Sequence, residues 1–150
     1  MPDPHEGTDR VVVGVDGSAS SKEALRWAIR QAELTHSAVD AVLAWHYPAF
    51  YGSFGWPPSG GEFDARATGG QVLAEAVNEV AGRQPPVAIR TIVAHGTAPD
   101  VLLHAARQAG LLVVGSRGHG GFTEALLGSV AQHCTQHAPC PIVVVRGQGH

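Results

Sequence analysis

The chain has one lysine, Lys22, among its 150 residues, and two cysteines, Cys134 and Cys140. No G-x4-G-K-[ST] segment occurs around that lysine, which excludes a P-loop. Two cysteines are too few for a disulfide framework. No apolar run approaches the roughly 20 residues that a membrane-spanning helix needs. No apolar core follows a basic start near Met1, so no secretory leader is expected. A formal net charge of −3 gives no reason to expect nucleic acid as a partner. These absences lead us to expect a cytoplasmic chain with neither a nucleic-acid nor a membrane partner. The composition, 44% hydrophobic and 15% charged, is that of a globular protein with one core.

What the sequence does have is a pattern of short apolar runs alternating with helical spacings. Val11 to Val15 is a nearly unbroken β-branched run of the kind buried on both faces of a parallel sheet. Val39–Trp45, Val87–Ala94, Leu111–Val114 and Ile142–Val145 read as further strands. Ser20 and Glu23 form an S-x-x-E capping box, which predicts the start of the first helix; Ala24, Leu25, Ala28, Ile29 and Ala32 follow on one face. Val72, Leu73, Ala76, Val77 and Val80 mark a second helix, closed by Gly82 and Pro85-Pro86. Thr97 and Asp100 cap a third, with Pro99 in its first turn. Residues 1–9 read as a tail, 10–146 as one domain and 147–150 as a second tail. The segment from Tyr47 to about Glu62 reads as a long loop. Strands alternating with helices predict an open α/β sheet.

The most informative stretch is Leu111 to Val130, LLVVGSRGHGGFTEALLGSV. It reads as a strand, a glycine-rich turn, and a helix whose apolar face begins at Phe122. Such a turn lies at the carboxyl end of a strand, where open parallel sheets bind ligands. A helix start offers unpaired N–H groups and a positive dipole end, which suit phosphate. Gly115, Gly118 and Gly128-Ser129 follow the spacing G-x2-G-x9-G-[ST].

That spacing resembles the phosphate-binding signature of the universal stress protein family, in its ATP-binding branch. The N-terminal VVGVDGS, Val12 to Ser18, and the C-terminal APCPIVVV, Ala138 to Val145, extend the resemblance over nearly the whole chain. It implies a Rossmann-like open parallel five-stranded sheet in the order 3-2-1-4-5, with helices on both faces. It also implies ATP as ligand, on whose phosphates Mg2+ could ride, and a homodimer formed through the last strand. Asp16 maps onto the aspartate that contacts the adenosine moiety, and Gly14 and Val15 lie beside it. Ala44 and Trp45 map onto the strand end against the adenine. Val114, Gly115, Arg117, Gly118, His119, Gly128, Ser129 and Val130 map onto the phosphate-binding segment. The same family geometry offers an alternative to the continuous helix, with the final helix starting at Gly128-Ser129-Val130. Ala131 departs from the hydroxyl residue that ATP-binding relatives can carry there.

Each of these residues also has a plainer reading. Asp16 suits a helix cap, the glycines suit turns, and Arg117 and His119 suit a solvated loop. The aromatic residues from Trp45 to Trp56 suit a satellite apolar cluster or a dimer surface. His133, Cys134, His137 and Cys140 resemble metal ligands when taken together. However, helical spacing puts Cys134 on the apolar face and Cys140 lies between prolines, so packing is the reading taken. Phosphoryl transfer needs positioned charge and a water-orienting group. Asp16, Ser129 and Arg117 are the only candidates and no general base can be assigned, so the residues favour binding over catalysis. Slow ATP hydrolysis and a cyclic-nucleotide preference stay open.

Overall fold

The computed structural model describes residues 10–45, 61–116 and 128–146. The strands are β1 (Arg10–Gly14), β2 (Ala38–Trp45), β3 (Ile89–His95), β4 (Leu111–Gly115) and β5 (Ile142–Val145). The helices are α1 (Ala19–Thr35), α2 (Gly61–Ala81), α3 (Ala98–Ala106) and α4 (Ser129–His137). The strands form one sheet in the order β3-β2-β1-β4-β5, with every neighbouring pair parallel. The tails and the segment from Tyr47 to Trp56 lie outside the described residues, as do Arg117, Gly118 and His119. No described helix is long and apolar enough to cross a membrane.

The strand pleat explains why the central strands β1 and β4 are apolar at successive positions. Successive side chains point to opposite faces, and here both faces are covered. Val11, Val13 and Val15 pack with Val39, Ala41, Val113 and the apolar faces of α1 and α2. Val12 packs with Val42, Leu112, Val114 and residues of α3 and α4. Val12, Val13, Leu25, Leu73, Leu112 and Val113 are wholly buried between these layers. At roughly 25 cal/mol per Å² of apolar surface removed from water, such side chains supply most of the driving force for the sheet.

Several element boundaries differ from the sequence reading, for local physical reasons. The N-cap of α1 is Ser18, whose hydroxyl accepts from the Ser21 amide at 3.2 Å; Ser20 and Glu23 lie within the helix, so the predicted capping box is not used. The cap moves upstream because Gly17, at φ +87°, turns the chain sharply after β1. The final helix does not run from Phe122. Gly128 is extended, at φ −67° and ψ 164°, and is the N-cap of α4, which starts at Ser129. α2 already begins at Gly61, inside the predicted loop. β3 starts at Ile89, whose pairing with Val39 opens with the Val39 amide donating to the Ala88 carbonyl at 2.9 Å. The Thr97 cap is as predicted, accepting from the Asp100 amide, with Pro99 in the first turn.

Candidate functional site at the strand carboxyl ends

The strand order reverses between β1 and β4, and the candidate site lies at that switch point. Gly14 is level with Val42, and Val13 is level with both Ala41 and Val113. Carrying this register forward puts Asp16, Ala44 and Ser116 at one height across β2, β1 and β4. Neighbouring strands are about 4.8 Å apart, so the three positions fall within roughly 10 Å. The strand ends are tied down: the Val15 amide donates to the Val42 carbonyl, and the Ser116 amide to the Val145 carbonyl, both at 2.9 Å.

Two helix starts meet this edge from opposite faces. On the first face, Asp16 opens α1: its Oδ1 accepts from the Ser18 amide at 2.9 Å, and its own amide donates to Ser21 Oγ at 3.2 Å. Asp16 thus makes a side-chain turn two residues ahead of the N-cap Ser18, and the cap itself is Ser18. On the other face, the Gly128 amide donates to the Ser116 carbonyl at 2.7 Å. This bond closes the signature segment on itself and sets the start of α4 beside the end of β4. Gly128 has no side chain, and no side-chain hydrogen bond caps α4. Among the described residues, no side chain takes up the first amides of α4, which stand at the positive end of the helix dipole.

The glycines of the site have their own packing reasons. A Cβ on Gly115 would run into Ser20 Oγ and stand 2.8 Å from the Ser20 carbonyl oxygen, so α1 presses directly on the end of β4. A Cβ on Gly14 would meet Leu102 Cδ1 at 2.8 Å. The close approach at Gly14 is thus made by α3. Val15 and Val114 are buried on opposite sides of the sheet. Ala44 faces the α3–α4 side, and Trp45 makes an edge contact with His95, ring centroids 4.5 Å apart. Ser129 is exposed and Val130 half-buried on α4.

Other candidates are separated by the fold. Cys134 is fully buried in the α3–α4 layer, and burial pushes its thiol up to about 11. Burial also raises Cys140. His133 and His137 pack together at the exposed surface of α4, ring centroids 4.7 Å apart. No group of three or more His, Cys, Asp or Glu that could hold a metal occurs among the described residues.

Sequence reasoning missed two features. Ser116 is buried, and its backbone makes one bond to β5 and one to the start of α4. Asp40, buried in β2, accepts from Arg10 Nη1 at 3.0 Å and from Arg90 Nε and Nη2 at 3.2 and 2.9 Å. A lone carboxylate inside the apolar run Ala38–Trp45 was the available signal, since a buried charge needs a partner.

Residues 7–146 match the model of the universal stress protein family. A universal stress protein of Mycolicibacterium smegmatis is 38% identical over 143 residues, covering 95% of this chain and 47% of that protein. The chain spans about half the length of the curated relatives it matches. Among solved structures, UspA from Lactobacillus plantarum superposes with a TM-score of 0.71 at 21% identity, over 91% of this chain and 97% of that one. A universal stress protein in complex with cAMP gives 0.61 at 23% identity, over 95% and 99%. One from Archaeoglobus fulgidus in complex with dAMP gives 0.56 at 17% identity, over 90% and 95%.

Proposed function

Because the chain belongs to the universal stress protein family, we propose that it binds an adenine nucleotide, ATP foremost, at the β1–β4 switch point and acts as a nucleotide-responsive regulatory protein. The observation that carries this reading is the uncapped start of α4, fastened beside β4 by the Gly128–Ser116 hydrogen bond. Backbone amides at such a helix start are anion ligands that need no charged side chain. The phosphates would lie at Gly128, Ser129 and Val130. Arg117, Gly118 and His119 stand between the two anchors in sequence and are proposed as further phosphate contacts. Asp16 would accept from ribose hydroxyls, and Ala44 and Trp45 would bound the base. Solved family members carry cAMP and dAMP, which supports adenine nucleotides as the ligand class. Mg2+ would enter with a triphosphate and be held chiefly by its oxygens.

Binding is favoured over catalysis because no general base for an attacking water can be assigned among the described residues. The proposal includes a homodimer through β5. That strand lies at the sheet edge, and its four residues, Ile142 to Val145, are β-branched. Such an edge is prone to pair with another strand.

Calorimetric titration with ATP, AMP and cAMP tests the site. Asp16→Ala should weaken ATP and AMP equally, by about tenfold or roughly 1.4 kcal/mol, because the lost contact is to the nucleoside. Unchanged affinity in the folded variant would overturn the assignment. A loss confined to ATP would instead place the carboxylate on the metal and phosphates.

A further inference from the structure

Away from the switch point, a groove of about 730 Å³ runs between α3 and the β2–β3 half of the sheet, among the described residues. It arises from the topology. α3 returns from β3 to β4 and packs over β1, β2 and β4, leaving the outer part of that sheet face open beside it. Val42, Ile92 and Ala94 form an apolar floor, and Val101 and Ala105 line the α3 wall. From Arg90 to Ala94 the floor extends about 13 Å at 3.3 Å per residue. This is the size and character of a small-molecule pocket.

The end of the groove near the strand amino termini is cationic, and it is built. The Asp40 side chain is 6% exposed and holds two guanidinium groups, from Arg10 and Arg90. Arg90 binds it in a fork through Nε and Nη2. Arg10 gives only Nη1, so its Nε and Nη2, and Arg90 Nη1, keep their donors among the described residues. Arg107 also lines this end, is exposed, and forms no ion pair among the described residues. Two guanidinium groups thus hold one carboxylate, and a third, Arg107, lines the same groove. The other acidic residue of the lining, Asp100, lies at the far end, in the first turn of α3. A planar guanidinium already fixed by a buried carboxylate loses little freedom on binding an anion in forked geometry.

We infer that this groove is a second ligand site, separate from the nucleotide site, for a small organic anion. Its apolar body lies on Val42, Ile92 and Ala94, and its single carboxylate or phosphate is held by Arg90 and Arg107. Asp40 is a positioning residue that presents Arg90. The inference does not depend on the nucleotide reading, because it uses none of the residues of that site.

Titration of the 15N-labelled full chain with 2-naphthoate, 2-naphthyl phosphate and the neutral control 2-naphthalenemethanol tests it by amide shift mapping. The inference expects saturable shifts at Ile92, Ala94 and Ala105 with at least one anion, and the tighter anion identifies the preferred head group. The neutral control should bind about tenfold more weakly. Arg107→Gln, at an exposed position, should keep the spectrum of the folded protein and weaken the anion by about the same factor. Arg90→Gln, which leaves Arg10 on Asp40, should do likewise. Absence of saturable shifts in the groove, equal binding of the neutral control, or unchanged affinity in Arg107→Gln would each overturn it. Displacement of the anion by AMP would overturn the separateness of the two sites.

Discussion

The Gly128 amide and the Ser116 carbonyl are 2.7 Å apart, so a residue that begins a helix and a residue that ends a strand are joined directly. This bond brings the two ends of the G-x2-G-x9-G-[ST] segment together. The signature segment must leave and return to one place, at the level of Asp16 on the adjacent strand. Adjacent backbone donors of α4 therefore face the switch point at fixed height. Four consequences can be measured for the scaffold around it.

Gly115→Ala should destabilise the protein more than Gly14→Ala. The new methyl at Gly115 meets the backbone of Ser20, which can move only with α1; at Gly14 it meets the tip of Leu102, which can change rotamer. Overpacking costs about 1–3 kcal/mol, and Gly115→Ala should lie in that range with Gly14→Ala below it. Urea denaturation of the two variants decides the order.

Asp40→Asn should lower stability by about 1–3 kcal/mol, since a buried acceptor of charged donors is lost. The full cost of a broken buried ion pair is not expected, because Arg10 and Arg90 are partly exposed and can turn to water. Arg90→Gln should cost less than about 1 kcal/mol, because its side chain is 58% exposed and Arg10 remains on the carboxylate. Thermal unfolding of both variants at low and high salt reads this difference.

Cys134 gives a pH dependence with a defined sign. Burial favours its neutral thiol and raises it from 9.0 to about 11. A folded-state value above the unfolded one means that this contribution is complete below pH 9 and is lost as pH rises towards 11. Denaturant midpoints should therefore fall across that window, and Cys134→Ala should flatten the fall. At pH 8, alkylation of the native protein should reach Cys140 before Cys134, because Cys134 is fully buried and Cys140 only partly so.

The proposed dimer has a sharp test in β5. The Leu112 and Ser116 amides bond to the Pro141 and Val145 carbonyls. Backbone groups of alternate residues point to alternate edges, so those of Ile142 and Val144 face away from β4. Val144→Pro removes an outward donor and leaves the inner ladder intact. It should shift the chain from dimer to monomer in light scattering while nucleotide affinity is kept. A monomeric parent at micromolar concentration would contradict the proposal.

The sheet was legible because β-branched runs such as Val11–Val15 must be buried on both sides, and the family resemblance supplied their order. The start of α4 was less legible. Phe122, Leu126, Leu127 and Val130 keep helical spacing across Gly128, and periodicity does not register one extended residue. The capping box at Ser20 failed similarly, because Ser18 has the same chemistry and Gly17 sets the turn one step earlier. The Arg10–Asp40–Arg90 triad is formed by residues far apart in sequence. Only strand register brings them together, and one sequence does not encode that register locally.

The central claim is that nucleotide phosphate binds where α4 begins. Amide shift mapping of the 15N-labelled protein with ATP and with AMP tests it most directly. The account predicts the largest saturable changes at Ser116, Gly128, Ser129 and Val130, smaller ones at Asp16 and Ala44, and none at the carboxyl end of α2. Saturable changes confined to other parts of the sheet, or none at millimolar nucleotide, would contradict it.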